Sequence, residues 1–287
     1  MKRFASFFLA ALLSMGAFAQ EVTDSITIFM IGDSTMANKP LKDENQERGW
    51  GQMFPLMVQG PVRVENHAVN GRSSLSFINE GRWEKVLSRI KPGDYVIIEF
   101  GHNDEKANSP ERYTVPGESF DENLRKFVVE AREKGANPIL MNSIVRRNFP
   151  AETETQQDKT ALTSDKSKKL DEMNDAPADG EVLVDTHGLY RDAPRNVAQL
   201  LRVPFVDMNT LTHNYVQALG AEKSKELYMW IPAGKYAFCP DGKIDNTHLN
   251  IKGGTIVARI AANALAETVP ALKQYIKPCC GSSCCAK

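Results

Sequence analysis

Five apolar runs recur along the chain with helical patterns between them, and this alternation narrows the fold more than any other feature. The runs are ITIFMIG (26–32), VRVENHAV (62–69), YVIIEFG (95–101), PILMNSIV (138–145) and VPFVDM (203–208). Near-continuous apolar runs suit strands covered on both faces. SFDENLRKFVVEAREKG is the clearest intervening helix. It places Phe120, Leu124, Phe127, Val128 and Ala131 on one face, Ser119 with Glu122 reads as a capping box, and Gly135 reads as a stop. GRWEKVLSRI and GGTIVARIAANALAETV behave similarly. Strand and helix in alternation predict an α/β fold with a mostly parallel sheet and right-handed crossovers.

The two ends and one interior stretch fall outside this pattern. MKRFASFFLAALLSMGAFAQ (1–20) has a basic start, a short apolar run and Ala17-Phe18-Ala19, the form of a cleaved secretory signal peptide. Its apolar run is short of the roughly 20 residues that span a bilayer. No cysteine follows it to take a lipid, and no later segment is apolar enough to span. The expected location is therefore exported, periplasmic or extracellular. Residues from about 151 to 180 are polar with few large apolar side chains and read as a surface insertion. One domain from 21 to 277 is the economical division, followed by a Cys-rich tail, 278–287. Cys279, Cys280, Cys284 and Cys285 crowd that tail while Cys239 stands alone. Export permits disulfides, and four thiolates also suit zinc, yet C-C-x3-C-C matches no zinc pattern. No metal is expected.

Charge limits the partner. Removing Lys2 and Arg3 with the leader leaves 33 basic against 36 acidic residues. A near-neutral chain carries no electrostatic footprint for nucleic acid, so a neutral or small partner is expected.

In open parallel sheets, ligands bind beyond the carboxyl ends of the strands. Gly32-Asp33-Ser34 follows the first run, Asn70-Gly71-Arg72-Ser73-Ser74 the second and Gly101-His102-Asn103-Asp104 the third. A serine nucleophile at that edge needs a base. His248 is the best placed of the five histidines, because Asp245 stands three residues before it in DGKIDNTHLN. The carboxylate can orient the imidazole and stabilise the imidazolium that forms. Each element alone has a plainer reading. Ser34 can cap a helix, Asp245-x-x-His248 can be a turn before one, and Gly71 and Asn103 can be turn residues. His102 is expected to support its loop by hydrogen bonding, and His67, His187 and His213 to be structural.

The order of the four blocks resembles the SGNH or GDSL-type hydrolases, with no G-x-S-x-G elbow around Ser34. NGRSSLSFINEGRWEKVLSRIKPGDYVIIEFGHNDEK, RYTVPGESFDENLRKFV, VDTHGLY and DNTHLN are similar to the corresponding stretches of rhamnogalacturonan acetylesterases. The resemblance implies a flavodoxin-like three-layer α/β/α fold and deacetylation of pectin, with an acetylated polysaccharide as substrate. It also implies Ser34 as nucleophile, His248 as base and Asp245 as its orienting partner. The Ser34 and Gly71 backbone N–H groups and the Asn103 amide would form the oxyanion hole. Such chemistry passes through an acyl-serine and needs no cofactor. His248 must be neutral to accept a proton, so activity is expected to fall in acid, where an imidazole ordinarily titrates near about 6.5. Arg72 and Arg82 can approach galacturonate carboxylates or form internal ion pairs, and Trp83 and Trp230 are candidate sugar platforms, Trp83 reading better as core. A lipid or thioester hydrolase, or a non-catalytic glycan binder, would be the alternatives on the same scaffold.

Overall fold

The computed structural model describes residues 25–149 and 182–278. The stretch read as a signal peptide, 1–20, the one read as a polar insertion, 151–180, and the cysteines of the tail lie outside the described residues.

The predicted runs form five parallel strands: β1 (Ile26–Gly32), β2 (Val62–Asn66), β3 (Tyr95–Glu99), β4 (Asn137–Met141) and β5 (Phe205–Val206). Their order in the sheet is β2-β1-β3-β4-β5. Gly32 pairs with Glu99 and Met30 with Asn66, so the carboxyl ends of β1, β2 and β3 lie along one edge. The chain steps outward from β1 to β2 and then returns to the other side of β1 to lay down β3. That reversal opens the crevice in which such sheets bind ligands.

The described helices are α1 (Trp50–Met53), α2 (Ser74–Asn79), α3 (Arg82–Leu87), α4 (Ser119–Glu133), α5 (Leu189–Leu201), α6 (Met208–Ser224) and α7 (Ile251–Thr268). Alternation along the strands builds two cores. Ile28, Met30, Ile97 and Met141 face one side and pack with α1, α6 and α7. Phe29, Ile31, Val96 and Ile98 face the other and pack with α2, α3, α4 and α5. The result is a three-layer α/β/α sandwich.

On α4, the predicted apolar face is fully buried. Its large side chains contribute roughly 1.5–3 kcal/mol each. The predicted stop is also present. Gly135 adopts φ +77°, the Gly135 N–H reaches the Arg132 carbonyl and the Ala136 N–H reaches the Ala131 carbonyl, a Schellman motif. The predicted capping box is not. Ser119 is already the first helical residue, and its hydroxyl accepts from the Val115 N–H at 2.9 Å because the preceding turn at Gly117 folds back toward it. A capping box forms instead at α2, between Ser73 and Ser76.

Four strands are shorter at one or both ends than the apolar runs that encode them. The residues beyond their carboxyl ends leave the ladder to build loops.

Candidate active site

Ser34 stands two residues beyond β1 in a turn closed by Asp33. The Asp33 carboxylate accepts from the Thr35 N–H and hydroxyl, both at 2.9 Å, and the Asp33 carbonyl accepts from the Ala37 N–H. The helix-cap reading of Ser34 therefore fails. No helix begins until Trp50, and the turn's own capping group is Asp33.

Asp245 and His248 arrive on the loop before α7. Asn250 caps that helix by accepting from the Gly253 N–H at 3.0 Å. The Ser34 hydroxyl donates to His248 Nε2 at 2.9 Å, and His248 Nδ1 donates to Asp245 Oδ2 at 2.8 Å. The fully buried Asp245 carboxylate also accepts from the Thr247 and His248 N–H groups, each at 2.9 Å, and pairs with Lys243 at 3.0 Å. Burial alone would raise its pKa, but the His248 hydrogen bond, the His248 charge and Lys243 more than reverse this and hold it well below the usual carboxylate range. Asp245 thus stays ionised, which fixes the imidazole tautomer with its proton on Nδ1.

Two further loops meet this edge. Gly71 takes φ +74°, and a Cβ there would point into open space. The residue is needed for its backbone conformation, and it leaves the edge clear for a ligand. Neither the Ser34 nor the Gly71 N–H has a hydrogen-bond partner among the described residues. Asn103 donates one amide hydrogen to the Arg72 carbonyl at 3.1 Å. Asp104 ties the two loops together, accepting from the Ser74 N–H at 3.0 Å and from the Thr114 hydroxyl at 3.0 Å. Burial raises the Asp104 pKa to about 7. All five residues singled out in the sequence thus lie on loops at one end of the sheet.

Several neighbours differ from expectation. His102 does not support its loop through its ring, because neither ring nitrogen has a partner among the described residues. The residue is 2% exposed, and its ring packs edge-on against that of His187 at 4.6 Å between centroids. Burial and the Arg146 charge keep it neutral, and only its carbonyl accepts, from Arg146. His67, His187 and His213 are structural, bonded to Glu65, to Glu105 with the Ile144 carbonyl, and to the Leu183 carbonyl. Arg72 and Arg82 both pair with Glu80, the internal ion pair rather than a ready carboxylate clamp. Trp83 is core, donating to Glu130. Trp230 is occupied too. The Arg147 and Lys225 cations lie over its ring, and its N–H donates to Asn246 at 2.8 Å. A cavity of about 540 Å³ beside it is lined by Trp230, Lys235, Tyr236 and Ile251 among others, but by none of Ser34, Asp245 or His248. Among the described residues, no cluster of side chains is suited to hold a metal ion. No described helix is long and apolar enough to cross a membrane.

Sequence reasoning missed Lys39, Glu47 and Lys243, which line up behind Asp245. Lys243 and Asp245 are two apart in extended chain and so share a side. That signal was legible, but the partners of Lys243 were not.

Residues 30–254 match the GDSL-like Lipase/Acylhydrolase family. The chain is 35% identical over 251 residues to the rhamnogalacturonan acetylesterase RhgT of Bacillus subtilis (strain 168), covering 88% of this chain and 94% of the relative. It is 28% identical to the probable rhamnogalacturonan acetylesterase YesY of the same organism, covering 87% of this chain and 97% of that one. The crystal structure of the YxiM protein of Bacillus subtilis superposes with a TM-score of 0.63 at 27% identity, over 85% of this chain but only 56% of the other. The chain belongs to the GDSL-like lipase/acylhydrolase family and is a carboxylic ester hydrolase.

Proposed function

We propose that the protein is an exported esterase that removes O-acetyl groups from pectic polysaccharide, rhamnogalacturonan foremost, through an acetyl-Ser34 intermediate. The observation that carries the reading is the unbroken hydrogen-bond chain from Ser34 through His248 to Asp245. The relatives' names supply the substrate class, and the basic and apolar leader at residues 1–20 supplies the export.

In this reading Ser34 Oγ attacks the acetyl carbonyl while its proton passes to His248 Nε2. Asp245 stabilises the imidazolium. The tetrahedral oxyanion takes hydrogen bonds from the Ser34 and Gly71 N–H groups and the Asn103 amide, donors already fixed before charge develops. Collapse breaks the ester bond, and the sugar hydroxyl leaves with the proton from His248. Water then repeats the sequence on the acetyl-serine, giving acetate and free Ser34.

The test is acetate release from acetylated pectins and from acetylated xylan, with Ser34→Ala as control. Release from pectin that is lost in Ser34→Ala, with the Tm unchanged, is the expected result. A variant that keeps substantial turnover sinks the role of Ser34. Preference for xylan, or for long acyl chains in a series of nitrophenyl esters, sinks the substrate class. Polymer binding without acetate release leaves only a glycan-binding protein.

A further inference from the structure

Behind the Ser34–His248–Asp245 chain lies a ladder of alternating charge. Lys243 Nζ bonds Asp245 Oδ2 at 3.0 Å and Glu47 Oε2 at 3.1 Å, and Glu47 Oε1 pairs with Lys39 Nζ at 2.8 Å. Lys39 also donates to Asn70 Oδ1 at 2.6 Å, the residue before Gly71. The ladder therefore joins the loop of the acid and base to the loop of the proposed oxyanion donor.

These side chains are not solvated surface pairs. Lys39 is 3% exposed, Glu47 17% and Lys243 28%. The backbone holds them in place. Glu47 pairs with Asn250 and Ile231 with Lys243 in isolated antiparallel bridges, and the Arg48 N–H donates to the Leu249 carbonyl. Asp245 Oδ2 is thus shared by two donors, His248 Nδ1 and Lys243 Nζ. The carboxylate favours a charged His248, and the ammonium opposes it. Of the other groups facing His248, Glu47 is an anion, its pKa lowered by Lys39 and Lys243 against the effect of burial. Asp33 is a carboxyl whose pKa is raised by burial, and His102 is neutral.

We propose that Lys243 is a positioning residue that clamps Asp245 and, by opposing charge on His248, keeps the base neutral to lower pH than the His248–Asp245 pair alone would. Glu47 acts in the opposite sense, holding Lys243 in place and moderating its charge. Burial lowers the Lys243 pKa, but Asp245 and Glu47 more than restore it, so Lys243 stays protonated throughout the working range. The inference rests on the esterase reading above for its catalytic consequence, but not for its test.

The experiment has two readouts. One is the pH profile of kcat/KM on 4-nitrophenyl acetate. The other is the His248 ring titration followed by NMR in a Ser34→Ala background, which needs no activity. Lys243→Met raises the midpoint of the acid limb and of the ring titration by about one pH unit. Glu47→Gln lowers both by about half a unit, and Lys243→Arg, which keeps the charge, leaves both near the parent. Opposite shifts from two neighbouring substitutions are not produced by general loosening of the site. A Lys243→Met midpoint equal to the parent's, or shifts of one sign in both variants, overturns the proposal. Should Lys243→Met fail to fold, Lys243→Arg and Glu47→Gln decide it, since an unmoved Gln midpoint or a displaced Arg midpoint has the same force. Absence of turnover in the parent protein sinks the esterase reading alone, because the ring titration still reports on Lys243.

Discussion

Asn103 carries two amide hydrogens, and the Arg72 carbonyl uses one. The proposed mechanism uses the other. Asn103→Ala is expected to lower kcat by about 10²–10³ with KM little changed, measured by steady-state kinetics on an aryl acetate. A loss under fivefold would remove Asn103 from the oxyanion hole. Around it, the buried side-chain atoms without partners among the described residues are Asp33 Oδ2, both His102 ring nitrogens and Thr247 Oγ1. Each belongs to the chain neighbour of Ser34, Asn103 or His248. Unsatisfied buried polar atoms are destabilising by about 1–3 kcal/mol each, so polar cost is concentrated where the loops meet. Ser34, Asp245 and His248 were readable in the sequence through the order of four blocks that resembles the SGNH hydrolases; the D-x-x-H spacing and a serine just past an apolar run each have a plainer reading alone. The pairing of Lys243 with Glu47 was not readable, since 196 residues separate them and lysine and glutamate ordinarily face water.

The elements were legible to different depths for physical reasons. The central strands follow from burial on both faces, which leaves no polar alternation to confuse the pattern. Strand ends were overrun because the apolar residues beyond β2, β3 and β4 are buried under loops rather than in the ladder. The capping box at Ser119 failed because a hydroxyl bonds whichever N–H the preceding turn presents, and Gly117 turned Val115 toward it. The stop at Gly135 held because it depends on local backbone alone. A Cβ at that position meets left-handed φ and lies 3.0 Å from the Pro92 Cβ. Gly135→Ala is therefore expected to destabilise the fold by about 1–2 kcal/mol with kcat unchanged, since the residue lies at the opposite end of the sheet from Ser34. Chemical denaturation reads the first, and turnover the second. An unchanged midpoint would show that the turn relaxes freely.

Across the whole molecule, buried carboxyls oppose each other in pH. Burial, then the nearby Asp33, raises Glu99 from its ordinary 4.5 to about 8, although the Trp50 indole N–H and the Ile144 N–H both donate to it. Asp104 is raised to about 7. The folded state keeps these protons where the unfolded chain has released them. Their contribution is fully present below the unfolded values and is lost as pH rises through about 7 and 8. Asp245, Glu47 and Asp207 are lowered, so theirs is present above the unfolded values and is lost as pH falls through the folded ones. The Tm should therefore peak in mild acid, between about pH 4.5 and 6, and decline toward pH 9. Glu99→Gln should flatten the decline. Differential scanning calorimetry from pH 4 to 9 checks this, and a Tm that climbs from pH 6 to 9 would contradict it.

Ser34 and His248 touch across 214 positions. Every proposed oxyanion donor lies within the first 103 residues, while the base comes after residue 240. A growing chain therefore makes its proposed nucleophile early and its proposed base late. On the proposed mechanism a nascent or truncated product is expected to be chemically silent, with hydrolytic power arriving only when α7 docks. Recovery of turnover is thus a stricter gauge of refolding than recovery of helix or fluorescence, because it reports the closing of the longest connection in the site.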